Sequence, residues 1–148
     1  MNLTLRPVEP ADLDLLYAHQ SDPVAAAQVV WTPRTREAFD AHWAVILADP
    51  SVLTRMVVVD DEPVGNVVSW DHEGRRDVGY WIGREHWGRG IATAALAAFL
   101  AEDTTRPLYA DPFASNAASV AVLRRCGFRE VRRETGPEGV QVVLVKDD

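Results

Sequence analysis

The chain has one cysteine, Cys126, among 148 residues. No internal disulfide can form, and no metal-ligand spacing surrounds that thiol. A reducing, cytoplasmic setting is the expectation. Basic side chains are in the minority, 15 against 22 acidic ones, for a formal net charge of −7. General nucleic-acid binding is disfavoured, because it needs a basic face for phosphate contacts. Long hydrophobic runs are missing too. The longest lies within 91–101, well short of the ~20 residues a membrane helix needs. The opening "MNLTLRPVEPADLDLL" carries proline and acids where a signal peptide needs continuous apolar residues, so no leader is expected. Linkers, repeats and low-complexity tracts are absent. With 47% hydrophobic and 25% charged residues, the expectation is one globular domain over 1–148.

What is present reads as strands and helices in turn. "NLTLRPV" alternates polar and apolar residues, as a half-buried strand does. After Pro10, "ADLDLLYAHQ" sets Leu13, Leu16 and Tyr17 on one helical face. A second helix is expected over Arg36–Ala48, where Phe39, Trp43 and Leu47 recur every four residues. Between them, "SDPVAAAQVVWTPRT" has room for a short helical piece and a loop. "VLTRMVVVD" and "PVGNVVSWD", joined at "DEP", predict a hairpin, and "RRDVGYWIG" is a third strand. A helix over about 90–102 follows, then a short strand in "PLYADP". "NAASVAVLRRCG" is a helix stopped by Gly127, and "FREVRRET" with "VQVVLVK" makes a closing hairpin. The hairpins favour antiparallel pairing, whereas the strand–helix–strand step from Tyr80 demands a parallel one. The expected fold is therefore α/β with a mixed, mostly antiparallel twisted sheet of about seven strands, flanked by about four helices.

The stretch "WGRGIAT" carries the chemistry. It follows a strand and opens an alanine-rich helix, so backbone N–H groups from Gly88 to Ala92 lie at the positive end of a helix dipole. Such a loop can hold a phosphate or pyrophosphate; a tight strand-to-helix turn is the plainer alternative. A P-loop is excluded, because no Gly-Lys-Ser/Thr follows. The dinucleotide fingerprint fails at Thr93, where Gly or Ala is required.

"DVGYWIGREHWGRGIATAAL" resembles the acetyl-CoA-binding core of the GNAT N-acetyltransferase superfamily, closest to the branch of ribosomal-protein N-terminal acetyltransferases. "NAASVAVLRRCGF" is similar to the family's downstream Asn-x-x-Ser…Gly-Phe segment, and "LTLRPVEPADLDLL" to its first strand and helix. The resemblance implies a single GNAT-like enzyme domain. It would move an acetyl group from acetyl-CoA to a primary amine of a small molecule or protein N-terminus, by direct attack on the thioester. It implies that Tyr80, Trp81 and Ile82 pair with the pantetheine arm, and that Trp87, Gly88, Arg89, Gly90, Ile91, Ala92 and Thr93 hold the diphosphate. Asn116 and Ser119 would reach the thioester end. Trp87 departs from the family's Gln or Arg, and Leu123 stands where many relatives carry a tyrosine acid.

The catalytic candidates are Ser119, as thiolate proton donor, and Asp77, as base or relay to the amine. Plainer readings are a solvent-facing helix serine and an exposed acid beside Arg75 and Arg76. His72 and His86 are either bases or solvated loop residues. Asn116 suits a helix N-cap as well as a pantetheine contact. Arg124 and Arg125 could reach phosphates or offset helix carbonyls. Trp31 and Trp70 could line an acceptor pocket or pack in the core, while Trp43 and Cys126 read as core. The four histidines, His19, His42, His72 and His86, are scattered, so no metal site is expected. Expected partners are a small-molecule amine or a peptide N-terminus, with a homodimer allowed and neither nucleic acid nor membrane. A non-catalytic acyl-CoA-binding module is the competing function, and the residues that would choose the acceptor lie between 18 and 52.

Overall fold

Strand β1 (Leu3–Arg6) pairs antiparallel with β2 (Leu53–Val59), and β2 with β3 (Glu62–His72). Asp60 and Asp61 make the β2–β3 turn, both at positive φ, 50° and 68°. A two-residue hairpin needs that left-handed pair, and Asp tolerates it better than most side chains. The turn therefore sits just ahead of the expected "DEP". Pro63 lies inside β3 with no N–H to give. The ladder accommodates it by a register shift: Val58 faces Pro63 while Val57 already faces Gly65.

The computed structural model describes residues 1–30 and 32–148, so Trp31 lies outside the described residues. Strand β4 (Arg75–Ile82) returns antiparallel to β3 and leads into α4 (Ile91–Glu102). Helix α4 crosses back to β5 (Leu108–Ala110), which is parallel to β4 as the crossover demands. The closing hairpin is β6 (Arg129–Gly136) and β7 (Gly139–Lys146), and the seven-stranded sheet runs β1-β2-β3-β4-β5-β7-β6. Strand β7 is interior because Val142, Val143, Leu144 and Val145 are all buried, the mark of a strand covered on both faces. Strand β6, REVRRETG, is mostly exposed and forms a charged edge that discourages further pairing.

Among the described residues there are five α-helices, the expected four and the short piece for which "SDPVAAAQVVWTPRT" has room. Helices α1 (Leu13–Ser21) and α3 (Arg36–Ala48) match their sequence patterns, and α5 (Ala117–Arg125) follows β5. The short piece is α2 (Pro23–Gln28), too short for a periodic signal. It starts on Asp22, whose carboxylate accepts the Val24 N–H at 2.9 Å, with Pro23 at the first helical position. The larger core joins Ile91, Leu96 and Phe99 of α4 to Val57, Val67, Leu108 and Leu144. A smaller one joins Leu16, Phe39 and Trp43 to Val8 and Met56. Asp103, just past α4, ties that helix to the sheet: it accepts the Ser69 hydroxyl at 2.5 Å and Arg76 Nε at 2.8 Å. Burial alone would raise its pKa, but the two donors hold it down at about 2.

One feature of the sheet positions the site. Among the described residues, β4–β5 pairing covers only Arg76↔Leu108 and Asp77↔Tyr109, while β4 continues to Ile82. The sheet splays there, and Val78–Ile82 keep an edge that no strand covers, although the Ile82 carbonyl accepts the Trp87 Nε1–H at 2.9 Å. Among the described residues, no helix is long and apolar enough to cross a membrane.

Candidate active site

Two cavities meet at the open edge of β4. The smaller, about 420 Å³, lies between β4, the start of α4 and α5. Gly88 and Gly90 have φ of 77° and 74°, and a Cβ on either would meet nothing within 4 Å. Glycine is required there by the left-handed backbone rather than by crowding from the protein. Gly90 is the N-cap of α4 and carries no side-chain cap, so the first N–H groups of the helix stay unfilled and face the groove. With the helix dipole behind them, these groups form an anion-binding end.

Tyr80, Trp81, Ile82, Trp87, Gly88, Gly90, Ile91, Ala92, Thr93, Asn116 and Ser119 all line this groove. Arg89 does not; it is exposed, with Nη1 3.4 Å from His86 Nδ1. The opposite wall, which no local sequence signal announces, is formed by Ala25, Gln28 and Val29 around α2. Arg125 also reaches the groove, whereas Arg124 pairs with Glu130 at 3.1 Å. His86 corrects the expectation of a solvated loop residue: it is buried and lines the groove. His19, 6% exposed, lies against Gly83 with both ring nitrogens unpartnered. Burial holds its pKa below the usual histidine value.

The junction of the cavities is polar. Tyr80 Oη lies 2.8 Å from Ser119 Oγ and 3.2 Å from the Ser119 carbonyl oxygen, to which it can donate. Burial pushes the Tyr80 phenol up to about 12, against the opposing pull of its bond to Ser119, so it remains protonated near neutrality. Asn116 caps α5 by accepting the Ser119 N–H at 3.3 Å, and also accepts Gln28 Nε2 at 3.2 Å. Ser119 is thus held in a network rather than facing solvent. Leu123 is 1% exposed and brings no proton. The phenol at this junction comes from β4 instead, a contact across 39 residues of chain.

The larger cavity, about 760 Å³, shares Val29, Tyr80, Trp81, Asn116 and Ser119 with the smaller one. Its floor includes Asn66, Val68, Trp70 and Gly79, and one wall comes from α3. Asp77 is placed apart. It is 5% exposed, not solvated as expected, and lines neither cavity. Burial raises its pKa, and Arg75 opposes this. The Arg75 Nε lies 2.8 Å from Asp77 Oδ1 but out of line for a hydrogen bond. Arg75 also sits 3.3 Å from Asp111, which does line the larger cavity. His72 is exposed and lines neither. Cys126 is half-buried, its thiol pKa raised by burial, with Sγ directed to the Thr93 carbonyl at 3.6 Å. Trp43 is core, as read, but one side of it reaches the larger cavity; Trp70 lines that cavity too. Among the described residues, no three His, Cys, Asp or Glu are grouped to hold a metal ion.

Known proteins share this fold. The aminoglycoside acetyltransferase AAC(6')-Ib, solved with coenzyme A, superposes with a TM-score of 0.82 at 21% identity, covering 99% of this chain and 95% of the other. A chimera of the spermidine N-acetyltransferase SpeG from Vibrio cholerae gives 0.87 at 17% identity, covering 99% and 96%. At such identities these likenesses show the fold. In sequence, the N-acetyltransferase p20 of Bacillus licheniformis is 32% identical over 104 residues, 64% of this chain. That match spans only 58% of the relative's length. Residues 2–129 match the family model of the acetyltransferase (GNAT) domain. With the open β4 edge, the uncapped glycine turn and a profile match over most of its length, the chain belongs to the GNAT acetyltransferase domain family.

Proposed function

We propose that the chain is an acetyl-CoA-dependent N-acetyltransferase, moving the acetyl group to a primary amine of a small molecule or a peptide N-terminus. Acetyl-CoA fills the smaller groove. Its diphosphate rests on the N–H groups of Gly88 to Ala92, with Trp87 and Thr93 flanking and Arg89 adding charge from outside. The pantetheine arm lies along the open edge at Tyr80, Trp81 and Ile82, as an added strand would. Asn116 and Ser119 meet the thioester end. The observation that carries this reading is the junction: one groove ends, and a second cavity begins, at the same five residues, Val29, Tyr80, Trp81, Asn116 and Ser119. A donor and an acceptor placed in the two cavities would touch there.

The amine attacks the thioester carbonyl from the larger cavity, and backbone N–H groups of β4 stabilise the oxyanion. As the carbon–sulfur bond breaks, Ser119 gives its hydroxyl proton to the thiolate, and the proton shed by the amine returns through water to the Ser119–Tyr80 pair, so no alkoxide is left behind. Tyr80, donating to Ser119 Oγ, leaves the serine hydrogen free to point at the sulfur. Asp77 acts at one remove, setting Arg75 and through it Asp111, while the amine proton leaves by water. The similarity to ribosomal-protein N-terminal acetyltransferases supports the peptide acceptor. The shared amine chemistry named for the aminoglycoside and spermidine enzymes supports the small-molecule one. The single half-buried thiol supports a cytoplasmic setting.

A second reading, a coenzyme-binding module without turnover, is favoured by Leu123 alone. Thiol release from acetyl-CoA over a panel of amines separates the two. Amine-dependent release supports transfer; tight acetyl-CoA binding with no release for any amine supports the module.

A further inference from the structure

The walls of the larger cavity describe its occupant. Trp70 and Trp81 rise from the sheet floor, and Phe39, Trp43 and Phe113 close the sides. Gly79 serves this surface: a Cβ there would meet the Trp70 ring at 3.3 Å, so the glycine lets the indole lie close over β4. At the mouth, Val45 of α3 is 71% exposed, an apolar lip on a helix surface. Flat, apolar matter is what such a cavity desolvates at a gain.

Of the three carboxylates that line the same cavity, two are held in ion pairs and the third, Asp49, is exposed, while the cation Arg34 lines the cavity too. Asp49 accepts the Ser51 N–H at 2.9 Å and its hydroxyl at 2.7 Å. Asp71 pairs with Arg76 at 3.2 Å, and Asp111 with Arg75 at 3.3 Å. A polycation would need an uncompensated carboxylate for each charge it buries. One cation on an aromatic-walled cavity does not, because ring faces attract it directly.

Building on the acetyl-transfer reading, we propose that the acceptor is a primary monoamine on a hydrophobic, aromatic body, an aralkylamine. Its ring stacks against Trp70 and its nitrogen points to the Tyr80–Ser119 junction. Polyamines and aminoglycosides fit the cavity's size but not its charge. A peptide N-terminus would bury backbone amides against the aromatic side of the cavity, where a hydrophobic ring is the better fit.

The test is equilibrium binding to the coenzyme A-saturated protein, read by tryptophan fluorescence, with 2-phenylethylamine, spermidine, kanamycin and a short peptide as probes. Phenylethylamine is expected to bind at least ~10-fold more tightly than the others, the scale of one good ring–ring contact. Trp70→Ala should erase that advantage while leaving acetyl-CoA affinity unchanged. Val45→Asp, on an exposed helix position where folding is not at stake, adds a free carboxylate at the mouth and should move the preference toward spermidine. Equal or tighter binding of spermidine, kanamycin or peptide by the native chain would overturn the proposal, as would an unchanged preference in Val45→Asp. Binding requires no turnover. Preferential phenylethylamine binding without thiol release would contradict the transfer reading while upholding this one.

Discussion

In the proposed mechanism Ser119 and Tyr80 carry the proton step, and they differ in how visible they are in the sequence. Ser119 follows Asn116 by three residues, a spacing legible in the sequence. Tyr80 reaches it from another element, and nothing local announces a 2.8 Å contact across 39 residues. If Ser119 is the acid, Ser119→Ala should lower kcat by about 10²-fold or more, with acetyl-CoA affinity nearly intact. Tyr80→Phe should also lower kcat, by less, since the serine hydroxyl remains. Because the phenol is pushed up to about 12, the native pH–rate profile should show no limb from Tyr80 below pH ~10. Asp77→Asn, which removes only the group that sets Arg75, should cost less than Ser119→Ala and by a similar factor across the pH range. Steady-state kinetics of the three variants from pH 6 to 10 checks all of this. Turnover within about threefold of native for both Ser119→Ala and Tyr80→Phe would remove the hydroxyl pair from the mechanism.

At the scale of elements, the glycine turn before α4 is the decisive piece. Gly90→Val would place a branched side chain at φ 74°, costing about 1–2 kcal/mol of backbone strain, and would stand that side chain in the groove. Calorimetric titration should show acetyl-CoA affinity falling at least ~10-fold in a variant that still melts cooperatively. Unchanged affinity would displace the diphosphate from this turn. Long periodic elements were legible: α3 matches Arg36–Ala48 to the residue, and all seven strands were anticipated. Helix α2 was less so, since six residues give no periodicity and its role depends on Gln28 meeting Asn116, 88 residues away. The strand order was not read either. The apolar run Val142–Val145 suits a buried strand, but only tertiary pairing sets β7 between β5 and β6.

At the scale of the whole molecule, stability and chemistry can be tested separately. Asp103 joins two strands to α4 with its pKa held at about 2, below the ordinary carboxylate value of about 3.9. Its folded-state pKa is depressed, so its contribution is present above pH ~4 and lost as the pH falls toward 2. The urea midpoint should drop over that window, and Asp103→Asn should flatten the drop; a pH-independent midpoint would contradict this role. No three metal-ligating side chains are grouped among the described residues, so a chelator should leave turnover unchanged. Loss of activity restored by a divalent ion would overturn that. The central claim is that donor and acceptor occupy two cavities meeting at Val29, Tyr80, Trp81, Asn116 and Ser119. A crystal structure with coenzyme A and 2-phenylethylamine tests it most directly. The diphosphate should lie on the N–H groups of Gly88 to Ala92, the thiol beside Ser119 Oγ, and the amine nitrogen facing it from the larger cavity. A coenzyme bound elsewhere, or an amine that leaves the junction empty, would contradict it.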